Sequence, residues 1–234
     1  MRGTLLNTAT ILVGAAIGVL AKSSLQPEWN AAAMAGLGLA SVGMGIRMFL
    51  RTSNPLVPAM SIAIGGIIGA MLGIHGAIDG LATTLKGALP GDWGRFNEGL
   101  ITSFVLYCIG PMTLLGCVQD ALEKKIELLA LKSAMDGIAA IFLAASFGPA
   151  LFVTAFLVLI FQGLLTLGAK TLEPVLRDEK RLNELTAAGG CILLATGIGL
   201  MGIKDLRSST YLPALVLAPI FTVWIGRLER RLSA

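Results

Sequence analysis

Histidine is almost missing from these 234 residues: His75 stands alone. A single imidazole removes most metal-site readings and most catalytic-triad readings at once. Cysteine is also scarce. Cys108, Cys117 and Cys191 show no CxxC spacing, so neither a zinc site nor a disulfide framework is indicated. Charged residues make up 14% of the chain, against roughly 25% in ordinary soluble domains. The net charge of +4 comes from basic residues scattered between apolar runs, without an aromatic-rich basic patch, and no nucleic-acid partner is expected. HExxH, GxSxG, phosphate-binding loops and paired carboxylates at hydrolytic spacing are all absent, so the expectation is a protein that is not an enzyme and has no cofactor beyond a bound ion.

What the chain does have is apolar length. Hydrophobic residues reach 55%, the mean hydropathy is +0.81, and runs of about 18–25 residues, enough to cross a hydrocarbon core of about 30 Å, recur along almost all of it. These features predict an all-α, polytopic transmembrane bundle of about eight helices, forming one domain over 1–234 with the lipid bilayer as its surroundings. The segments fall at roughly 3–21, 31–50, 55–74, 98–117, 128–146, 149–169, 185–203 and 210–226. The count drops to seven if one segment is re-entrant, and over 128–169 two full spans and a re-entrant hairpin are both open. Between 75 and 97, Ile78, Leu81 and Leu85 share one face, which suggests a short interfacial helix.

Basic residues orient the map. With eight spans, Lys22, Lys86, Arg95, Lys204 and Arg207 fall on one side and the remaining thirteen Lys and Arg on the side that holds both termini. Positive loops stay in the cytoplasm, so both termini are expected there. Arg2 followed by an apolar run to Ala21 also has the outline of a secretory signal, but Asn7, Thr8 and Thr10 interrupt the run and its length suits a first spanning helix.

Glycine, at 29 residues, is frequent and patterned. Gly14-x-x-x-Gly18 and Gly65-x-x-x-Gly69-x-x-x-Gly73 are small-residue stripes for close helix packing, and the second is a candidate seam for a homodimer. Gly36, Gly43 and Gly45 also align with Gly190, Gly197 and Gly199 at an offset of 154, while Pro58-Ala59 aligns with Pro213-Ala214 at 155. Copies five spans apart cross the membrane in opposite directions. The expectation is an inverted repeat, with units at 1–75 and 149–227 and the helices of 98–146 between them.

Polar residues inside such segments are costly and invite functional readings. Asp136, in KSAMDGIAA, has Ser133 and Lys132 three and four residues before it on the same face. It is either paired with Lys132 as an anchor near the headgroups or a cation-binding group. Gln119 and Asp120 close the fourth segment. A carboxylate opposes the dipole of the helix end there, so Lys124, Lys125 or a bound cation must compensate. Gly110-Pro111 breaks the same segment, because Pro111 cannot donate to the Tyr107 carbonyl. The carbonyls of 107–110, with Ser103 on the same face, are expected to line a site. Asn7 and Gln162 sit within apolar runs and serve either as interhelical glue or as site residues. Asn183 and Glu184 precede an apolar run, where a Glu suits the first turn of its own helix.

The combination of CIGPMTLLGCVQD with KSAMDGIAA, together with GTLLNTATILVGAAIG, EGLITSFVLYCIGPM, FQG and NELTAAGG, resembles the prokaryotic DUF554 family of small integral membrane proteins. The resemblance covers nearly the whole chain. It points to Asn7, Ser103, Gly110, Pro111, Gln119, Asp120, Ser133, Asp136, Gln162, Asn183 and Glu184, and implies a bacterial inner-membrane location and a transport function. The expectation is a secondary transporter of a small solute or ion, working by alternating access and coupled to Na⁺ or H⁺, with a Na⁺ site near Asp120 and Asp136. A channel-like or structural membrane protein, whose polar residues only hold helices together, is the other reading.

Overall fold

The computed structural model describes residues 1–22, 26–88 and 95–232, and among them the regular structure is entirely helical. The helices are α1 (Arg2–Ala21), α2 (Pro27–Phe49), α3 (Leu56–Met71), α4 (Ile74–Gly87), α5 (Phe96–Cys108), α6 (Pro111–Leu122), α7 (Glu127–Phe147), α8 (Ala150–Leu167), α9 (Ala169–Leu176), α10 (Glu179–Leu200) and α11 (Ala214–Leu232). A 3-10 turn, Ser208–Tyr211, precedes α11. Prolines open α2 and α6 at positions where no intrahelical N–H is needed. Gly73, at φ 61°, turns the chain from α3 into α4, and Gly148, at φ 68°, turns α7 into α8.

Six helices are long and apolar enough to cross a membrane, and α3–α4 and α5–α6 form two further pairs bent by 55° and 58°. The eight segments read from the sequence are all present as helix. Within 128–169, both α7 and α8 have the length of a full crossing.

Helix directions follow from named contacts. Alpha-carbons with no side chain let α1 and α7 run side by side: a methyl group on Gly14 would fall 2.2 Å from the Gly137 carbonyl oxygen, and one on Gly18 would fall 2.1 Å from that of Ile141. Helices α2 and α10 run antiparallel and meet reciprocally, Gly45 against Gly190 and Gly38 against Gly197. Helix α3 runs antiparallel to the start of α11, with Gly65 on Ala214 and Gly69 on Thr210. The Gly65–Gly69 stripe is therefore occupied inside the protomer, and a homodimer would need a different surface.

The bundle has two distinct ends. One gathers the start of α1, the α2–α3 turn, the end of α6 and the start of α10. The other gathers α4, the start of α5, the α7–α8 turn and the turn before α11. Helix α4 stays at this second end, where His75 Nδ1 lies 2.8 Å from Ser209 Oγ and Asn97 Nδ2 donates to Asp79 Oδ1 at 2.9 Å. Its expected apolar face shifts by one residue: Ala82 is buried and Ile78 and Leu85 are half-buried, but Leu81 is exposed. The core between the ends is apolar, built around Ile11, Phe96, Leu143, Leu151 and Val158.

Candidate functional site

The polar centre of the bundle is an ion pair. Lys132 Nζ donates to both carboxylate oxygens of Asp136, at 2.7 and 2.5 Å, and Asn7 Nδ2 donates to Oδ2 at 3.1 Å. The spacing i,i+4 on α7 sets the first contact. The second depends on the bare surfaces of Gly14 and Gly137, which bring α1 close enough for Asn7 to reach. Lys132 and Asp136 are 7% and 6% exposed, so the pair is largely withdrawn from the surface. Asp136 is nine residues into α7, about 14 Å along the axis from its start at about 1.5 Å per residue. The Lys132 ammonium stands 5.8 Å from the centre of the Tyr107 ring.

Beside the pair is the break between α5 and α6. Gly110 is extended there and leads into Pro111, which starts α6. The Tyr107 carbonyl, which loses its helical partner to Pro111, instead accepts from the Thr113 hydroxyl at 3.0 Å. Of the carbonyls of 107–110 expected to line a site, that of Tyr107 has this partner within the protein. Thr113 was missed in the sequence, although a hydroxyl two residues after a helix-breaking proline is a readable signal. The pair and the break share a cavity of about 220 Å³, whose lining includes Ser41, Gly110, Thr113, Lys132, Asp136 and Ala139.

The two strongest expected carboxylates do not meet. Asp120 is 3% exposed and lies inside α6, where Oδ2 accepts the Gly3 amide at 3.0 Å and faces the Met1 amine at 2.8 Å. The compensating positive charge is the N-terminus of α1, from a different helix; Lys125 pairs with Glu123 instead. Glu184 is corrected in the same way. Helix α10 begins at Glu179, capped by Asp178 onto the Arg181 amide, so Glu184 sits in its second turn. There it accepts from the Thr52 hydroxyl at 2.5 Å, the Ser53 amide at 2.7 Å and the Asn54 amide at 3.0 Å, closing the α2–α3 turn. Among the described residues no group of three His, Cys, Asp or Glu converges in a way that could hold a metal ion.

The remaining expected residues divide between glue and unspent polarity. Ser103 donates to the Gly99 carbonyl at 2.6 Å and lies 2.7 Å from Thr154 Oγ1, tying α5 to α8. Ser133 donates to the Leu129 carbonyl of its own helix at 2.6 Å. Gln119 and Asn183 are half-buried and join none of these contacts. Gln162 is fully buried with neither amide atom hydrogen-bonded, and Asn7 Oδ1 and the Tyr107 hydroxyl are likewise unpartnered. Left without a partner, each such group costs about 1–3 kcal/mol. A second, polar cavity of about 520 Å³ lies at the opposite end, between His75, Asp79, Arg95, Glu98, Asp205 and Arg207.

Comparison with known proteins agrees with the geometry of a membrane bundle. The family model described as "Protein of unknown function (DUF554)" matches residues 2–223. An uncharacterized membrane protein of Bacillus subtilis (strain 168), YdfK, is 30% identical over 224 residues, covering 94% of this chain and 95% of the relative. An uncharacterized protein of Escherichia coli (strain K12), YqgA, is 27% identical over 230 residues, covering 95% and 97%. No solved structure matches.

Proposed function

We propose, from the premise that this chain belongs to the DUF554 family and is a membrane-embedded helical bundle, that it is a non-enzymatic secondary transporter of a small solute or ion. The observation that carries the reading is the buried Lys132–Asp136 pair on the wall of a cavity beside a broken helix. A desolvated ion pair is weak evidence for stability, since an apolar pair of similar volume does as well or better. Kept inside a membrane and open to a cavity, it is a group that gains or loses a proton or cation with large electrostatic consequence.

Two further features support the reading. The reciprocal, antiparallel glycine contacts of α2 with α10 support an inverted repeat of units 1–75 and 149–227 around 98–146, the architecture on which alternating access commonly runs. The distribution of Lys and Arg supports a bacterial inner-membrane orientation with both termini cytoplasmic. Between coupling ions the geometry favours H⁺ over Na⁺, because protein donors already engage both Asp120 and Asp136. The structural reading draws on Ser103–Thr154 and Thr4–Thr166, which are interhelical glue, but neither touches the ion pair.

The test is thermal unfolding of the purified protein in detergent, as wild type and Asp136→Asn, in sodium, potassium and choline chloride at equal ionic strength and across a pH series. A ligand at 100 times its Kd stabilises by about 2.7 kcal/mol, which a melting curve resolves. The expected result is a midpoint that responds to pH or Na⁺ in the wild type and not in Asp136→Asn. Identical responses in the two proteins would remove ion coupling at Asp136 and leave the structural reading.

A further inference from the structure

The cavity beside the ion pair has a one-sided chemistry. Its walls are largely hydrocarbon and thioether, including Leu37, Met44, Met48, Leu106, Ile109 and Met135. The hydroxyls that line it are already committed, Ser41 to the Leu37 carbonyl at 2.7 Å and Thr113 to the Tyr107 carbonyl. The charged groups on the cavity wall are Lys132 and Asp136. Met135 and Ala40 are the exposed members of the lining, so the space reaches the surface between α7 and α2.

A bare anion or cation entering this space would add an uncompensated charge beside a neutral pair, in a medium where that is strongly penalised. A carboxylic acid avoids the penalty. Arriving as R–COOH, it loses its O–H proton to an Asp136 oxygen, and its own carboxylate then takes the Lys132 ammonium. One O–H bond breaks on the ligand and one forms on Asp136, so the charge of the site is unchanged and Lys132 keeps a carboxylate partner. We propose that this cavity binds a small monocarboxylic acid with a short apolar tail, the ligand carboxylate replacing that of Asp136 on Lys132. A cavity of about 150 Å³ accommodates benzene, so about 220 Å³ takes a tail of a few carbons. A second carboxylate on the ligand would face methionine and leucine.

The titratable groups around the pair are few. Tyr107 and Cys108 on α5 and Cys117 on α6 lie within electrostatic reach of Lys132 or Asp136. Helix α1 presents Asn7 and α2 presents Ser41, neither of which titrates, and Asp120 on α6 is held by the start of α1.

The inference rests on the transporter reading for its purpose, but binding is measurable without transport. The experiment compares the melting midpoint of the full chain in sodium butyrate and sodium chloride at acid and neutral pH. Butyramide and butylamine hydrochloride serve as the neutral and cationic isosteres. Butyrate is expected to raise the midpoint, more at acid pH, and the isosteres are not. Ala139→Leu fills the cavity and leaves the pair intact, so it should weaken butyrate by about tenfold or more. If that variant does not fold, Lys132→Met combined with Asp136→Leu, which leaves no unpaired charge, should abolish the butyrate response. An unshifted midpoint, equal stabilisation by butyramide, or a fully responsive variant overturns the assignment. Butyrate binding without uptake into proteoliposomes would keep the site and remove the transporter reading. An ion response at Asp136 without a butyrate shift would do the reverse.

Discussion

The Thr113 hydroxyl donates to the Tyr107 carbonyl at 3.0 Å, standing in for the amide hydrogen that Pro111 lacks. The break between α5 and α6 is thus repaired on one side by a side chain two residues beyond the proline.

Thr113→Val should leave a buried carbonyl without a partner and cost about 1–3 kcal/mol. Adding Pro111→Ala restores a backbone donor, so the double variant should recover part of the loss. A thermodynamic cycle on the four proteins in detergent checks the coupling. Additive losses would mean that Thr113 matters for packing alone.

Lys132→Met should be among the most damaging single changes, at about 3–5 kcal/mol, because it strands the Asp136 carboxylate. Asp136→Leu in the same background should return most of that stability. Chemical denaturation of the single and double variants measures both numbers.

Glu184→Gln should open the α2–α3 turn without unfolding the bundle. Its carboxylate accepts three hydrogen bonds there, each worth about 1.5–3 kcal/mol when the acceptor is charged. Hydrogen exchange should therefore speed up at the Ser53 and Asn54 amides and stay unchanged in α7. Unchanged exchange at both amides would mean that the turn is held by other contacts.

Gly190→Ala should destabilise by about 1–3 kcal/mol, since the new methyl would fall 2.6 Å from the Gly45 carbonyl oxygen. Gly43→Ala, whose methyl meets nothing within 4 Å, is the matched control and should be neutral or slightly stabilising. Melting midpoints of the two variants separate close packing from helix propensity.

The architecture was legible in the sequence because crossing a bilayer needs about 20 apolar residues per span, a signal local to each segment. The Lys132–Asp136 contact was legible for a similar reason, as a four-residue spacing on one helix. The partners of Asp120 and Glu184 were not. They lie at the start of α1 and in the α2–α3 turn, more than a hundred positions away in sequence, and only the folded bundle decides which of them a buried carboxylate meets. The contact of Ser103 with Thr154 between α5 and α8 was likewise out of reach of the sequence, the two residues lying on different helices.

The carboxylate that closes the start of α1 belongs to residue 120, and the helix that flanks α1 most closely begins at residue 127. During synthesis, α1 therefore enters the bilayer well before either neighbour exists. It must wait there with Asn7 facing lipid or passing helices while four further spanning segments are made. The first helix is thus completed by partners made later than α2 and α3. A ribosome halted before α7 would leave the first helix without the partner its glycines were shaped to meet.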